Sequence, residues 1–323
     1  MGVKYFLAAH WTRVANVRYV ALMSRLVHKT IAGIKIEGFS VAGEESVIAA
    51  PEYNVCFDPG RAPRETIPID NMCVTHGHMD HAAGLAYYFS QRDFVGIAPG
   101  RVIVHRDLAQ AIQRLMDVWA DIEGHYSPGQ VYGVSPLEDV EIRRGLLVRP
   151  FAVNHALGSL GYTLIEVRHK LKGEFIGKSG PQLVALKKDG VQIVDRLEIP
   201  LLTVTGDTAL GRWLDLEFVR RTRVLLVECT FFEDEHRHRA RSGRHIHIDD
   251  LHEVLSAVPD ARIVLTHLSR RTDIRWARKV VENIVQRGDY ERISFLMERP
   301  PRQRDHRPKH GRREEDLGSP LDQ

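Results

Sequence analysis

The sequence predicts one large α/β domain, on three observations. The chain has 323 residues, 43% of them apolar and 27% charged, which is an ordinary globular balance with enough apolar surface to close a core. Short Val-, Ile- and Leu-rich segments alternate with longer ones whose apolar residues recur at helical spacing. Four times a short apolar segment runs straight into a metal-ligand type of residue: His76 after Cys73-Val74, His155 after 151–153, Asp207 after 202–204 and His267 after 263–265. In layered α/β folds the ends of neighbouring strands converge on one edge, so residues far apart in sequence can meet there.

The elements follow in order. Residues 1–36 contain no Asp or Glu but carry Lys4, Arg13, Arg18, Arg25, Lys29 and Lys35. Residues 1–30 read as an N-terminal extension, a peripheral helix through Leu22 and Leu26 or a poorly ordered arm, with an organellar transit peptide as the alternative. From Ile31 the pattern is strand-like through Ile34, Ile36 and Phe39, then 46–50 and 55–57, ending at the turn signal Asp58-Pro59-Gly60. Strands joined by Gly-containing turns predict an antiparallel start. Residues 71–74 form a short buried strand. Leu108, Ile112, Leu115, Met116 and Trp119 predict an amphipathic helix over 107–123, and Ser127-Pro128-Gly129 breaks the chain. Short strands are expected within 131–153, then at 162–167, 200–204, 224–227 and 263–265. Helices are expected at 249–258 and 272–286, with Asp249, Asp250 and Asp273 favourable against the positive helix start. Residues 168–190 set Arg168, His169, Lys170, Lys172, Lys178, Lys187 and Lys188 among glycines, a short basic excursion from a domain spanning 31–298. Residues 299–323 are rich in Pro, Arg and acids and lack the apolar surface to fold, so a disordered tail is expected.

Composition excludes several classes. The net charge is only +3, so any nucleic-acid contact must come from local basic patches. Cys56, Cys73 and Cys229 are odd in number and form no CxxC pair, which argues against a disulfide framework and for a reducing, cytoplasmic setting. No run of about 18 apolar residues exists, so no membrane span is expected.

The densest chemistry lies in Thr75-His76-Gly77-His78-Met79-Asp80-His81. Neutral imidazoles are the commonest zinc ligands, and a nearby carboxylate completes a borderline-hard site. A strand cannot aim all four side chains at one centre, because His78 and His81, three apart, fall on opposite faces. A loop is required, and Gly77 frees the backbone for it. Taken alone, the motif also fits a solvated His-rich turn, a strand-end His is often structural, and Asp207 also fits a cap for the turn at Thr208. Together they are hard to explain without a metal.

The HxHxDH pattern resembles the metallo-β-lactamase superfamily. The segment from Asn154-His155 through Ser159, Gly161 and Tyr162 resembles the HxxxSxGY element of ribonuclease Z, the tRNA 3′-processing endonuclease. Thr205-Gly206-Asp207-Thr208 resembles the family's bridging-Asp motif. Val227-Glu228-Cys229-Thr230-Phe231 resembles its HEATF element, with Val and Cys in place of His and Ala. Leu265-Thr266-His267-Leu268-Ser269-Arg270 resembles its THFSxR element. The resemblance covers about residues 31–295.

It implies a metallo-β-lactamase-type αββα four-layer sandwich: two mixed sheets face to face, helices outside, and the metal site at one edge. It implies that His76, His78 and His155 hold one zinc ion, that Asp80, His81 and His267 hold a second, and that Asp207 bridges them. Fe²⁺ or Mn²⁺ also suits these thiolate-free ligands. Such a pair of ions lowers the pKa of water and stabilises charge on a phosphodiester transition state, with Asp80 placed to orient or deprotonate the water. The leaving oxygen's proton falls, in the family, to a His after the HEATF element. Register favours His245, although Arg244 replaces the family's Gly, and His247 is the alternative. Glu228 would orient that imidazole and raise its pKa; a strand-end salt bridge is the competing role.

The implied partner is a tRNA precursor or other RNA, bound through segments 168–190 and 236–244, the latter carrying His236, Arg237, His238, Arg239, Arg241 and Arg244. A solvated loop competes with that role for 236–244. Gly180-Pro181 and 186–190 resemble a compact remnant of the family's tRNA-gripping arm. Family members are commonly dimers, so a homodimer is compatible. The alternative function is a metallo-β-lactamase-fold hydrolase of a small phosphodiester, ester or lactone using the same ligands.

Overall fold

The computed structural model describes residues 25–298, and the expectations for 1–24 and for the tail 299–323 lie outside them. The first sheet contains β1 (Val27–Ile31), β2 (Ile34–Ala42), β3 (Glu45–Ala50), β4 (Val55–Pro59), β5 (Asn71–Cys73), β6 (Arg101–His105) and β7 (Gln130–Val134), in that spatial order. The second contains β8 (Val140–Arg143), β9 (Leu146–Ala152), β10 (Leu160–Leu171), β11 (Val194–Val204), β12 (Val224–Glu228) and β13 (Arg262–Thr266). The two-residue β14 (Leu268–Ser269) returns to pair with β2, and β15 (Ile293–Phe295) closes the second sheet beside β13.

Both sheets are mixed. β1 to β4 pair antiparallel and β4 to β7 parallel. In the second sheet β8 to β11 pair antiparallel, while β11, β12, β13 and β15 run parallel. The C-terminal ends of β4, β5, β9, β11, β12 and β13 therefore gather at one edge.

Three apolar clusters make this a four-layer αββα sandwich. The central one joins the inner faces of both sheets, including Ile34, Phe57, Ile103, Leu164, Leu202 and Val264. The outer face of the first sheet packs under helices Leu85–Phe94 and Arg106–Glu123 through Met72, Val102, Phe89 and Ile112. The outer face of the second packs under helices Leu251–Ala257 and Ile274–Ile284 through Leu225, Ile263, Val254 and Val281. Each fully buried Leu, Ile or Phe contributes roughly 1.5–3 kcal/mol relative to exposure. Tyr162 fastens the sheets together: its hydroxyl lies 2.9 Å from Val74 O and 3.1 Å from Ile103 O. Gly161 beside it is obligatory, since a Cβ there would meet the Phe151 ring at 2.3 Å.

Several sequence expectations need correction. The extension does not run to residue 30: Val27–Ile31 is an edge strand whose buried Val27 and half-buried Lys29 and Ile31 alternate with exposed His28 and Thr30. The acid-free composition masked that period of two. Strands β10 and β11 are longer than 162–167 and 200–204, and stay paired out to Leu171 and Val194. The basic excursion is thus a two-stranded arm carrying helix Gly180–Lys188. Helices Leu85–Phe94 and Arg237–Gly243 were not anticipated.

Candidate metal centre

The loop after β5 and the ends of β9, β11 and β13 bring together all seven residues singled out as ligands. His76, His78, His155 and Asp207 offer ligand atoms within 4.8 Å of one another, as do Asp80, His81 and His267. His78 Nδ1 lies 3.0 Å from His76 Nε2 and 3.2 Å from His155 Nε2. His267 Nε2 lies 3.4 Å from His81 Nε2, 3.4 Å from Asp80 Oδ2 and 3.3 Å from Asp207 Oδ2. Asp207 Oδ2 also stands 3.8 Å from both His76 Nε2 and His155 Nε2, so this carboxylate lies between the two groups.

The donor set fits metal ions. Two atoms each about 2.0–2.2 Å from a tetrahedral zinc stand roughly 3.3–3.6 Å apart, and the spacings bracket that range. The outward nitrogen of four imidazoles is already engaged: His76 Nδ1 with Thr75 Oγ1 at 3.0 Å, His81 Nδ1 with Asp58 Oδ2 at 2.7 Å, His155 Nδ1 with Arg244 O at 3.3 Å and His267 Nδ1 with Thr230 Oγ1 at 3.1 Å. Each such bond fixes the ring and leaves the other nitrogen for a metal. Asp207 Oδ1 is buried and makes no hydrogen bond; His81 Nε2 is 3.4 Å away but without bonding geometry. An orphaned buried carboxylate oxygen is costly unless a cation takes it.

The electrostatics differ from ligand to ligand, with His76 pushed toward the neutral form and His81 toward the charged one. Burial, reinforced by the neighbouring His81 charge, lowers the His76 pKa to about 2, so its ring is neutral and ready to coordinate. Burial alone would raise the pKa of Asp207, but the surrounding imidazoles, His267 foremost, hold it well below the usual range. Burial opposes charge on His81 too, and is outweighed by Asp207 and Asp58.

Local backbone explains why these residues can converge. His267 sits between β13 of the second sheet and β14 of the first, with φ 56°, and its amide donates to Ser40 Oγ at 3.0 Å. A left-handed histidine costs roughly 1–3 kcal/mol and persists only where its surroundings dictate it. Gly206 has φ +63°, and a Cβ there would meet Thr75 at 2.6 Å, so only glycine lets the Asp207 loop approach the histidine loop. Asp80 is pinned by the turn between β2 and β3, where Gly43 N donates to its Oδ2 at 2.8 Å.

The other candidates separate. His245 Nδ1 lies 2.7 Å from the buried Glu228 Oε1, and its ring stacks on His267 at 5.6 Å between centroids. Burial of His245 opposes its charge, but the Glu228 bond and charge prevail and its pKa is raised. His247 is turned away from the ligands. Its Nδ1 accepts from Asp249 N at 3.3 Å, capping the short helix there, and its Nε2 donates to Glu233 O at 3.1 Å. Glu228 is more than a strand-end salt bridge, since it also accepts from Thr208 N, Thr230 Oγ1 and Ile246 N.

Sequence reasoning missed Asp58, Thr75 and Thr230 as supporting residues. Asp58 was read only as part of a turn, yet its carboxylate accepts from Thr75 N and Thr75 Oγ1 and engages His81. A carboxylate directly after the apolar run Val55-Cys56-Phe57 was the available signal.

A four-layer fold with a His/Asp cluster at the strand edge defines a metal-dependent hydrolase of the metallo-β-lactamase class, and the metallo-β-lactamase superfamily pattern matches residues 46–168. Two relatives from Arabidopsis thaliana narrow this. The chloroplastic tRNase Z TRZ2 is 33% identical over 258 residues, covering 76% of this chain and 70% of that protein. tRNase Z TRZ1 is 32% identical over 251 residues, covering 76% and 89%. The chain belongs to the ribonuclease Z (tRNase Z) family. The crystal structure of human tRNase Z, short form, shares the fold with a TM-score of 0.50 at 15% identity, covering 84% of this chain and 94% of that one. The metallo-β-lactamase fold protein YhfI from Bacillus subtilis does so with 0.54 at 12%, covering 76% and 90%.

Proposed function

We propose that this chain is an endoribonuclease that cleaves 3′-extended tRNA precursors with two zinc ions, one held by His76, His78 and His155, the other by Asp80, His81 and His267, with Asp207 shared. The observation that carries this reading is the His245–Glu228 pair set against the ligand cluster, with the His245 ring 4.8 Å from that of His155 and stacked on that of His267. When bound, the ions supply Lewis acidity for the phosphate and lower the pKa of the attacking water. Asp80, half-buried and fixed by Gly43 N, orients that water and takes its proton. His245, kept protonated by Glu228, donates from Nε2 to the leaving 3′-oxygen.

RNA contact falls to exposed cations outside the cluster. Within 236–244, His236 pairs with Glu233 at 3.0 Å and Arg237 with Asp234 at 2.9 Å, so those two are already partnered. The arm exposes His169, Lys170, Lys178, Lys187 and Lys188, which suits backbone phosphates. Among the described residues no helix is long and apolar enough to cross a membrane. All three cysteines are free and buried, which suits the reducing, cytoplasmic setting inferred from their number. A homodimer belongs to the same proposal and is read by sedimentation of the full chain.

The test is cleavage of a 3′-extended tRNA precursor beside bis(p-nitrophenyl) phosphate by zinc-loaded protein. Cleavage of both, lost in Asp80→Ala, is expected. Turnover of the small ester alone would replace the tRNA reading with a small-phosphodiester hydrolase, and turnover of neither would point to ester or lactone substrates. Neutralising the arm lysines should abolish RNA cleavage selectively.

A further inference from the structure

Arg244 stands where the family pattern has glycine, directly before His245. Its φ is 55°, the left-handed region that glycine enters freely and arginine enters at a cost. The backbone work done there needs no side chain: its carbonyl accepts from His155 Nδ1 at 3.3 Å, and its amide closes the preceding helix on Ala240 O and Arg241 O. Glycine would serve both roles, so the guanidinium is what distinguishes this chain. Its Nη1 donates to His155 O at 2.7 Å, while the residue remains exposed. A guanidinium carries five donors in a planar fork, and among the described residues this one makes no other hydrogen bond and no ion pair. Its neighbours differ. His236 and Arg237 are held by acids, and Arg239 and Arg241 make no side-chain hydrogen bond to a site residue among the described residues. Arg244 alone in this run is tethered to a metal ligand with charge unspent.

We propose that the Arg244 guanidinium is a phosphate-binding group for the substrate strand, gripping a phosphodiester next to the one that is cut. This rests on the RNA-cleavage reading above. One nitrogen is anchored on the His155 carbonyl, so the fork is oriented before substrate arrives, and the remaining donors match a phosphate's oxygens in pairs. Anchoring it to the loop that carries His155 ties the substrate's register to the ligand cluster.

The test is binding of a labelled single-stranded 2′-O-methyl oligoribonucleotide to zinc-loaded full-length protein, followed by anisotropy over a salt titration, with metal content measured in parallel. Arg244→Gly suits the left-handed backbone and should fold. It is expected to weaken binding about 10-fold or more and to flatten the log Kd against log salt slope by about 0.7, with metal content unchanged. Arg244→Lys should keep the slope and bind more weakly than wild type, because a point charge replaces the fork. An unchanged affinity and slope in Arg244→Gly would overturn the proposal. So would loss of metal in that variant, which would make the side chain a prop for His155. If wild type shows the Arg244-dependent slope yet leaves a 3′-extended tRNA precursor intact, the phosphate site stands and the tRNA reading falls. If it does not bind the oligonucleotide, both fall.

Discussion

The two sheets support the cluster with the same device, used to different ends. On the first sheet, Asp58 at the end of β4 engages one imidazole directly, His81 at 2.7 Å, and a second through a hydroxyl, Thr75 Oγ1, which meets His76 Nδ1 at 3.0 Å. On the second sheet, Glu228 at the end of β12 engages His245 directly at 2.7 Å and His267 through Thr230 Oγ1 at 3.1 Å. In each case a buried carboxylate at a strand end orients two rings. Both rings held by Asp58 point their free nitrogens at other ligands. Of those held by Glu228, His267 is the enclosed one, whereas His245, whose ligand atom also comes within 4.8 Å of those of Asp207 and His267, is the more exposed ring. On the proposed reading, the enclosed imidazoles serve as ligands and the more exposed His245 as the acid.

That contrast can be broken at its most distinctive point. His245→Ala should lower the rate of RNA cleavage by about 10²–10⁴-fold, the usual worth of a general acid, while zinc content measured by emission spectroscopy stays the same. Loss of zinc in this variant would make His245 a ligand and erase the difference between the two relays. Asp58→Asn should act in the opposite sense, weakening zinc affinity by about 10–100-fold, read by equilibrium dialysis, with cleavage recovered at high zinc.

Glu228→Gln sharpens the comparison through pH. The Glu228 bond and charge raise the His245 pKa against the opposing effect of burial, so the acid form survives to higher pH than in an ordinary histidine. Activity should fall as pH rises through that raised value, and in Glu228→Gln this alkaline limb should move to lower pH. A limb that stays put would show that His245 is not the titrating acid. The hydroxyl links should matter less: Thr75→Val and Thr230→Val are each expected to reduce zinc affinity by about tenfold, the low end for supporting residues. His247→Ala should have the smallest catalytic effect. It removes a helix cap worth about 1 kcal/mol, visible as a lowered thermal midpoint, and leaves the rate of cleavage within a few-fold of wild type.

The sequence by itself singled out the candidate ligand set. His76, His78, Asp80 and His81 lie within one loop, and His155, Asp207 and His267 each follow an apolar strand, so local spacing and strand-end position were enough to choose them. It also determined the α/β class, because helical and strand periodicities are local properties of the chain. Only the tertiary structure gave His245 and His247 different partners. Both follow helix Arg237–Gly243, two residues apart, and nothing local says which ring meets Glu228 and which caps the turn at Asp249. Asp58, Thr75 and Thr230 were hidden for the same reason, since a carboxylate or hydroxyl becomes a support only when a ring from elsewhere in the chain is brought within hydrogen-bonding reach. The edge strand Val27–Ile31 escaped because its partner, not its composition, makes it a strand. Contacts within a few residues are written in the local pattern, whereas contacts across the sandwich depend on how two sheets pack, and that follows from burying all three apolar clusters at once.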